Sequence, residues 1–164
     1  MKAVEVIDIY RGLEERGLKI WIDGGWAVDA LLGVQTRDHQ DLDLAVERSD
    51  MYSLKEYFRD LGFSEIQRDE DKMWDMVLID KRGREIEVHA FDLDTHGNIV
   101  IQNYWNGYST DSLGGIGKIE GYKVRCVSLD QIVKTHNKTK RTLKETDVLD
   151  MKALKDRFSV VFPE

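Results

Sequence analysis

Two adjacent glycines, Gly24 and Gly25, stand between a short apolar run at residues 19–22 and a longer one at residues 26–32. This order predicts a strand that passes through a glycine turn directly into a buried helix. Glycine adopts positive φ angles and lets a ligand approach the backbone closely. Amides at the start of such a helix can hold a phosphate group, although glycine pairs also form turns that bind nothing. The turn alone leaves both roles open.

Two carboxylates follow on one face of the next strand. In residues 40–46 (Gln-Asp-Leu-Asp-Leu-Ala-Val) the leucines and the valine alternate with Asp41 and Asp43, which is the periodicity of a strand with one buried face. Both carboxylates then project from the other face, about 7 Å apart along the strand. Like charges repel in a low-dielectric cleft, and a divalent cation such as Mg²⁺ removes that repulsion. The alternative is a strand whose acidic face is solvated.

A glycine turn, an Asp-x-Asp strand and a later third carboxylate together resemble the nucleotidyltransferase superfamily. The longer pattern W-I-D-G-G-W-A-V-D-A-L-L-G-x-x-T-R-x-H-x-D-L-D-L at residues 21–44 is similar to the short lincosamide nucleotidyltransferases and their relatives, the aminoglycoside 2''-nucleotidyltransferases. Leu-Gly-Gly-x-Gly-Lys at residues 113–118 and Glu-Thr-Asp-x-x-Asp at residues 145–150 also resemble the lincosamide enzymes.

The resemblance implies an α/β architecture, the nucleotidyltransferase fold, in which helices back a mixed β-sheet. The alternation of helical and strand patterns along the chain agrees with this class. We expect a single domain over residues 1–164. Its catalytic core is expected at residues 1–127, with C-terminal helices packed on it at residues 128–164.

Glu87 is the candidate third carboxylate. Residues 84–91 (Arg-Glu-Ile-Glu-Val-His-Ala-Phe) have strand periodicity, so Glu87 and His89 share the face opposite the apolar side chains. The families that this chain resembles usually have Asp here, and Glu moves the carboxylate outward by one methylene. We expect Glu87 either to complete a metal site with Asp41 and Asp43 or to act as general base toward an acceptor hydroxyl. An exposed acidic strand face is the alternative.

Nucleotide binding is expected from Gly24, Gly25, Arg37 and Lys134. A guanidinium forks onto a phosphate with matching geometry, so Arg37 suits this role; its alternative is an ion pair with Asp38 or Asp41. Lys134 lies in a basic segment that would either face a triphosphate or be solvated. The other members of that segment are Lys138, Lys140 and Arg141.

Acceptor binding is expected from His89 and from three aromatic residues of a glycine-rich loop at residues 103–118, namely Tyr104, Trp105 and Tyr108. Aromatic rings on a loop suit a sugar-like ligand because they offer contact area at a low entropic cost. The same rings can instead pack the loop onto the domain. His39 is expected to order the acidic strand through a hydrogen bond, and Trp26 to pack in the core.

Several boundaries follow from local signals. Helices are predicted at residues 3–16, 26–32, 50–61 and 128–138, with a last helix that ends near residue 158. A strand is predicted at residues 98–102, and a hairpin whose turn is at residues 121–122. Thr142 and Glu145 have the spacing of a helix capping box.

Composition narrows the function classes. A formal charge of −7 disfavours general affinity for nucleic acid or for an anionic membrane. One cysteine allows no disulfide within the chain, and four scattered histidines show no zinc-site spacing. No apolar run reaches membrane-spanning length, and the first residues lack a signal-peptide plan. We therefore expect a soluble, cytoplasmic domain that binds small molecules.

The resemblance implies an enzyme that binds ATP and Mg²⁺ and transfers AMP to a hydroxyl of a lincosamide antibiotic, with release of pyrophosphate. It also suggests a homodimer. One alternative is an aminoglycoside 2''-nucleotidyltransferase. Another is a protein-modifying or non-catalytic partner of a toxin–antitoxin pair, although the intact set of Asp41, Asp43 and Glu87 argues against a non-catalytic domain.

Overall fold

The computed structural model describes residues 1–67, 75–100, 107–136 and 142–162. Within these residues, seven strands form one mixed sheet in the order β3-β4-β5-β2-β1-β7-β6. The strands are β1 (Ile20–Ile22), β2 (Asp41–Glu47), β3 (Phe63–Ile66), β4 (Asp75–Asp80), β5 (Glu85–Phe91), β6 (Gly115–Ile119) and β7 (Tyr122–Cys126). The helices are α1 (Ala3–Glu15), α2 (Gly24–Leu32), α3 (Met51–Asp60), α4 (Leu129–Thr135) and α5 (Glu145–Phe158). The α/β architecture with a mixed sheet is thus confirmed.

The strand β2 lies at the centre of the sheet, antiparallel to β1 and parallel to β5. The apolar side chains of β2 and β5 that alternate with the acidic ones are fully buried: Leu42, Leu44, Val46, Ile86 and Val88. Burying each of them contributes roughly 1.5–3 kcal/mol. A one-residue slip would turn these side chains to the other face and is therefore strongly disfavoured. The hydrophobic pattern thus fixes the side of the sheet on which the carboxylates lie.

The helices α1 and α3 pack against each other. Tyr57 on α3 donates a hydrogen bond to the carbonyl oxygen of Ile9 on α1 at 3.3 Å. Gly12 permits this contact, because a Cβ at that position would lie 2.9 Å from the Tyr57 Cζ atom. Both helices agree with their predicted ranges to within one residue at each end. In the described parts of the chain, every helix is too short or too polar to span a bilayer.

The helix α2 begins two residues earlier than predicted, so Gly24 and Gly25 form its first turn rather than a loop before it. The reason is Asp23, which is the N-cap residue and accepts a hydrogen bond from the Gly24 amide at 2.7 Å. The prediction that Trp26 packs in the core is confirmed, since 1% of its surface is exposed.

The glycine-rich segment at residues 103–118 is not all loop. Residues Gly115–Ile119 form the edge strand β6, which pairs with β7. Gly117 lies so close to α2 that a Cβ there would be 2.8 Å from the Cβ of Ala30, so the glycine serves close packing. The hairpin turn is Glu120-Gly121, one residue earlier than predicted, and both residues have positive φ angles of 49° and 79°.

Two further features differ from prediction and one agrees with it. Within the described part of residues 98–102, an isolated bridge pairs Ile99 with Leu93 in place of the expected strand. Ser128 caps α4 as predicted, by accepting from the Gln131 amide. The capping box at Thr142 and Glu145 is wrong: α5 starts after Lys144, whose backbone amide donates to the Asp147 carboxylate at 2.7 Å.

Candidate active site

Carboxylates from two neighbouring parallel strands meet on one face of the sheet. The register pairs Asp43 of β2 with Glu87 of β5, and Asp41 with Glu85. Paired strands lie about 4.8 Å apart, so laterally paired side chains on one face are near neighbours. Asp41, Asp43 and Glu87 alternate with fully buried apolar residues and are themselves half-buried. The three acidic residues singled out from sequence therefore share one face of the sheet.

His89 lies beside this site. It is two residues along β5 from Glu87 and pairs with Ala45 in the strand register. Its Nε2 atom is 3.9 Å from the Oδ1 atom of Asp43. The imidazole thus lies directly beside the acidic cluster.

The electrostatic surroundings of Asp43 disfavour its charged form. Burial is the largest cause and raises the pKa of the Asp43 carboxyl above its ordinary value. The charges of Asp41 and Asp23 raise this pKa as well, whereas the hydrogen bond and charge of His89 lower it. A cation bound between the carboxylates would relieve the repulsion between their charges. The surroundings of Asp43 therefore fit a site that binds a cation.

The described side chains offer only some of the ligands that a metal ion would need. Among the described residues, no three His, Cys, Asp or Glu side chains already converge as a complete set of metal ligands. Mg²⁺ is commonly held by one or two carboxylates together with substrate phosphates. Asp41 and Asp43 supply that donor set of hard oxygens, with Glu87 adjacent, so the residues present fit Mg²⁺ bound together with a nucleotide.

The two glycines let functional side chains approach the backbone of α2. Gly24 has a φ angle of +57°, and a Cβ there would lie 2.7 Å from Cγ of Asp43, inside the carboxylate's van der Waals contact. A Cβ on Gly25 would lie 2.6 Å from Nδ1 of His39 and would overlap the Arg37 guanidinium. Because neither glycine has a side chain, the Asp43 carboxylate and the Arg37 guanidinium can lie against the start of α2.

Asp23 belongs to the site although its role was missed in the sequence. Its backbone amide donates to the carbonyl oxygen of Asp43 at 2.9 Å, which joins the two strands at this point. Its carboxylate caps α2 and also accepts a hydrogen bond from the Tyr108 hydroxyl. An Asp directly before a glycine pair and an apolar helix is an N-cap signal, so the sequence did contain this information.

The loop aromatics divide into two groups. Tyr108 is buried, with its hydroxyl on Asp23 and its ring edge-on to Phe91 at 6.3 Å between centroids. Phe91 in turn packs edge-on against Trp21 at 5.6 Å, so the three rings form a buried aromatic wall beside the acidic residues. Tyr108 therefore packs its loop onto the sheet within reach of the site. Tyr104 and Trp105 lie outside the described residues.

A buried polar network holds the segment that leads into β2. Asp29 of α2 accepts hydrogen bonds from the backbone amide of Thr36 at 3.0 Å and from its hydroxyl at 2.6 Å. The other carboxylate oxygen of Asp29 is hydrogen-bonded to Nε2 of His39, whose ring stacks on Trp26 at 4.4 Å. The hydrogen bond expected of His39 is thus made to Asp29 on α2, and it fixes the segment that leads into the acidic strand β2. The Trp, Asp, Thr and His residues of the motif at residues 21–44 are thus joined in one network of contacts.

Replacing Asp29 by alanine should lower the free energy of unfolding by about 3 kcal/mol, because buried partners of Asp29 would lose their acceptor. Urea denaturation with an unchanged m-value measures this loss. Asp38→Ala, at an exposed position of the same segment, is the control and should change stability by less than about 0.5 kcal/mol. Equal stability of the two variants would show that the network contributes little.

Arg37 is held by an aspartate far away in the sequence. Its Nε and Nη2 atoms donate to the two carboxylate oxygens of Asp150 on α5, each at 2.8 Å, and Nη1 donates to the carbonyl oxygen of Asp38 at 3.2 Å. Neither expected carboxylate partner, Asp38 or Asp41, forms the ion pair. Asp150 lies in the Glu-Thr-Asp-x-x-Asp segment, so this segment connects α5 to the site.

Lys134 lies on α4 and is exposed. Helix α4 packs against α2, the helix that begins at Gly24. Three other members of the basic segment, Lys138, Lys140 and Arg141, lie outside the described residues. The nucleotide role of Lys134 stays a prediction.

Known proteins resemble this chain in sequence. The sequence model of the aminoglycoside-2''-adenylyltransferase family matches residues 5–154. A lincosamide resistance protein of Staphylococcus haemolyticus is 26% identical over 157 residues, which cover 92% of this chain and 90% of that protein. A 2''-aminoglycoside nucleotidyltransferase of Escherichia coli is 56% identical over 36 residues, which cover 22% of this chain and 20% of that protein.

Two solved structures share the fold. The lincomycin-bound lincosamide antibiotic adenylyltransferase LnuA matches with a TM-score of 0.81 and 26% identity, covering 94% of this chain and 97% of that one. The enzyme ANT(2")-Ia, in complex with adenylyl-2"-tobramycin, matches with a TM-score of 0.72 and 22% identity, covering 94% and 90% of the two chains. The nucleotidyltransferase fold expected from sequence is therefore confirmed.

Proposed function

Because this chain belongs to the aminoglycoside-2''-adenylyltransferase family, we propose that it transfers AMP from MgATP to a hydroxyl group of a lincosamide antibiotic. The chain is a nucleotidyltransferase by family, and a nucleotide is its co-substrate. The lincosamide acceptor is supported by two relatives that match nearly the whole chain, the Staphylococcus haemolyticus protein and lincomycin-bound LnuA. The observation that carries the chemistry is the lateral pairing of Asp43 with Glu87 on the acidic face.

In the proposed reaction Asp41 and Asp43 share one task and Glu87 has another. Asp41 and Asp43 present carboxylate oxygens to Mg²⁺, and the metal, when bound, neutralises phosphate charge as the α-phosphorus is attacked. The acceptor oxygen forms a bond to the α-phosphorus, the bond from this phosphorus to the bridging oxygen breaks, and pyrophosphate leaves. Glu87 accepts the proton of the attacking hydroxyl. As an alternative, Glu87 completes the metal site.

The nucleotide phosphates are proposed to bind at the start of α2. The amides of Gly24, Gly25 and Trp26 have no acceptor within the helix, and Asp23 takes only that of Gly24. The positive end of the helix dipole and the Arg37 guanidinium lie at the same place. Lys134 would approach the triphosphate from α4.

The acceptor is proposed to bind along the aromatic wall that borders the acidic face. His89 is 3.9 Å from Asp43 and would contact the reacting hydroxyl. Tyr108 would shape the wall through its contacts with Asp23 and Phe91. Tyr104 and Trp105 complete the predicted acceptor set.

The test is to incubate the purified protein with MgATP and lincomycin and to measure product mass. We expect lincomycin that carries one adenylyl group, together with pyrophosphate, and no product when EDTA removes the metal. Kanamycin and a co-expressed protein extract are parallel acceptors. Adenylyl-kanamycin as the main product would replace this proposal by the aminoglycoside alternative, which the family match and the 36-residue similarity favour.

Two expectations belong to the same proposal. The homodimer suggested by the resemblance is tested by light scattering of the purified chain. A cytoplasmic location, where ATP is available to the enzyme, is tested by fractionation of cells that express it.

A further inference from the structure

We propose that Asp150 is a positioning residue that orients Arg37 for the phosphates of the bound nucleotide. The inference rests on the proposed function, since it concerns the same nucleotide site. It also gives α5 a role beyond packing, because this helix then contributes to substrate binding through one side chain.

The ion pair has a geometry that fixes the guanidinium. Asp150 accepts from Nε and Nη2 of Arg37 with two parallel hydrogen bonds of 2.8 Å each. Such a fork locks the guanidinium plane, whereas a single contact would let it rotate. The Nη1 bond to the Asp38 carbonyl oxygen adds a third constraint. Three of the five N–H donors of Arg37 are thereby used in holding it.

The held guanidinium lies at the start of α2, where the nucleotide phosphates are proposed to bind. Its Nη2 atom lies against Gly25, in the first turn of α2. A cation at the positive end of a helix dipole is unfavourable unless an anion accompanies it. The Asp150 hydrogen bond is the largest cause that raises the pKa of Arg37, and the charges of Asp29 and Asp41 raise this pKa further. The guanidinium therefore lies within the field of the acidic strand and beside the amides of α2.

The burial of the two partners differs in a way that fits this role. The Asp150 side chain is only 3% exposed, whereas that of Arg37 is 19% exposed. A buried carboxylate cannot contact a triphosphate, so Asp150 acts through Arg37. The exposed part of the Arg37 side chain can still contact a phosphate. An ion pair that served only to hold α5 in place would not require Arg37 to lie beside Gly25.

The test compares ATP affinity among five variants by equilibrium titration with Mg²⁺ and no acceptor. Asp150→Asn should weaken ATP binding about tenfold, because it removes the charge that fixes the guanidinium. Asp147→Asn is the matched control, since Asp147 is a buried acid on the same helix that caps α5 and lies 3.5 Å from His136. It should lower the melting temperature but leave ATP affinity within about twofold.

The remaining variants show whether Asp150 acts through Arg37. The double variant Arg37→Ala/Asp150→Asn should bind ATP no more weakly than Arg37→Ala alone, since the two residues form one unit. Asp150→Glu, which keeps the charge, should retain more affinity than Asp150→Asn and remains informative if Asp150→Asn does not fold.

Three results would overturn the proposal. They are unchanged ATP affinity in Asp150→Asn, equal loss of affinity in Asp150→Asn and Asp147→Asn, or additive losses in the double variant. A wild-type protein that binds no ATP would overturn the proposed function and this inference with it. Loss of affinity in Asp150→Asn without any adenylyl transfer by the wild type would support the inference and contradict only the acceptor chemistry.

Discussion

Asp43→Asn should lower the rate of adenylyl transfer by about 10³-fold or more while the protein stays folded. Asparagine has the shape of aspartate but lacks the charge that would hold Mg²⁺ and balance the phosphates. Asp43 lies at the centre of the site, where it pairs with Glu87, contacts His89 and approaches Gly24. The loss should appear in kcat under saturating ATP, measured by pyrophosphate release.

The same variant should melt at a temperature no lower than the wild type when no metal is present. Burial and the charges of Asp41 and Asp23 both disfavour ionised Asp43, as the raised pKa of this carboxyl indicates. Removing the charge therefore removes an unfavourable interaction of the folded state. Asp8→Asn, at an exposed position on α1, is the control and should retain full activity. Activity of Asp43→Asn within tenfold of the wild type would contradict the role given to the acidic face.

The acidic face could be predicted from the sequence because strand periodicity directly encodes the side on which a residue lies. Alternation in residues 40–46 and 84–91 placed Asp41, Asp43 and Glu87 opposite the apolar side chains, and the structure has them there. The hydrophobic pattern determines this outcome wherever one face of a strand is buried. Only the lateral pairing of Asp43 with Glu87 needed the three-dimensional structure.

The partners of the charged residues around that face could not be predicted in the same way. Arg37 and Asp150 are 113 positions apart, and a long-range ion pair leaves no local periodicity. The nearer carboxylates, Asp38 and Asp41, were the expected partners because sequence proximity was the available guide. The sequence likewise does not identify the partner of the hydrogen bond expected of His39, which is Asp29 on α2.

Glycines illustrate a second limit of sequence reasoning. A glycine-rich stretch at residues 103–118 suggested a loop, since glycine is common in turns. Gly117 instead lies in β6, where absence of a side chain lets α2 pack against the strand. The sequence does not distinguish a glycine that is needed for close packing from one that is needed for a turn. Only the positions of neighbouring atoms distinguish them.

Gly24→Ala should both destabilise the protein and lower its activity, because two separate penalties meet at this position. The residue has a φ angle of +57°, which strains an alanine by about 1–2 kcal/mol. The new methyl group would also overlap the Asp43 carboxylate, and overpacking of this kind typically adds about 1–3 kcal/mol. We expect a total loss of roughly 3 kcal/mol and about 100-fold lower kcat, since Asp43 would be displaced.

Gly33→Ala provides the matched control at the other end of the same helix. Gly33 has a φ angle of +73°, but nothing lies within 4 Å of the position where its Cβ would stand. This variant should therefore show the backbone strain alone, a loss of about 1–2 kcal/mol, with kcat unchanged. The difference between the two variants in urea denaturation isolates the contact with Asp43. If both lose the same stability and both keep full activity, the close approach of Asp43 to α2 is not what the glycine at position 24 provides.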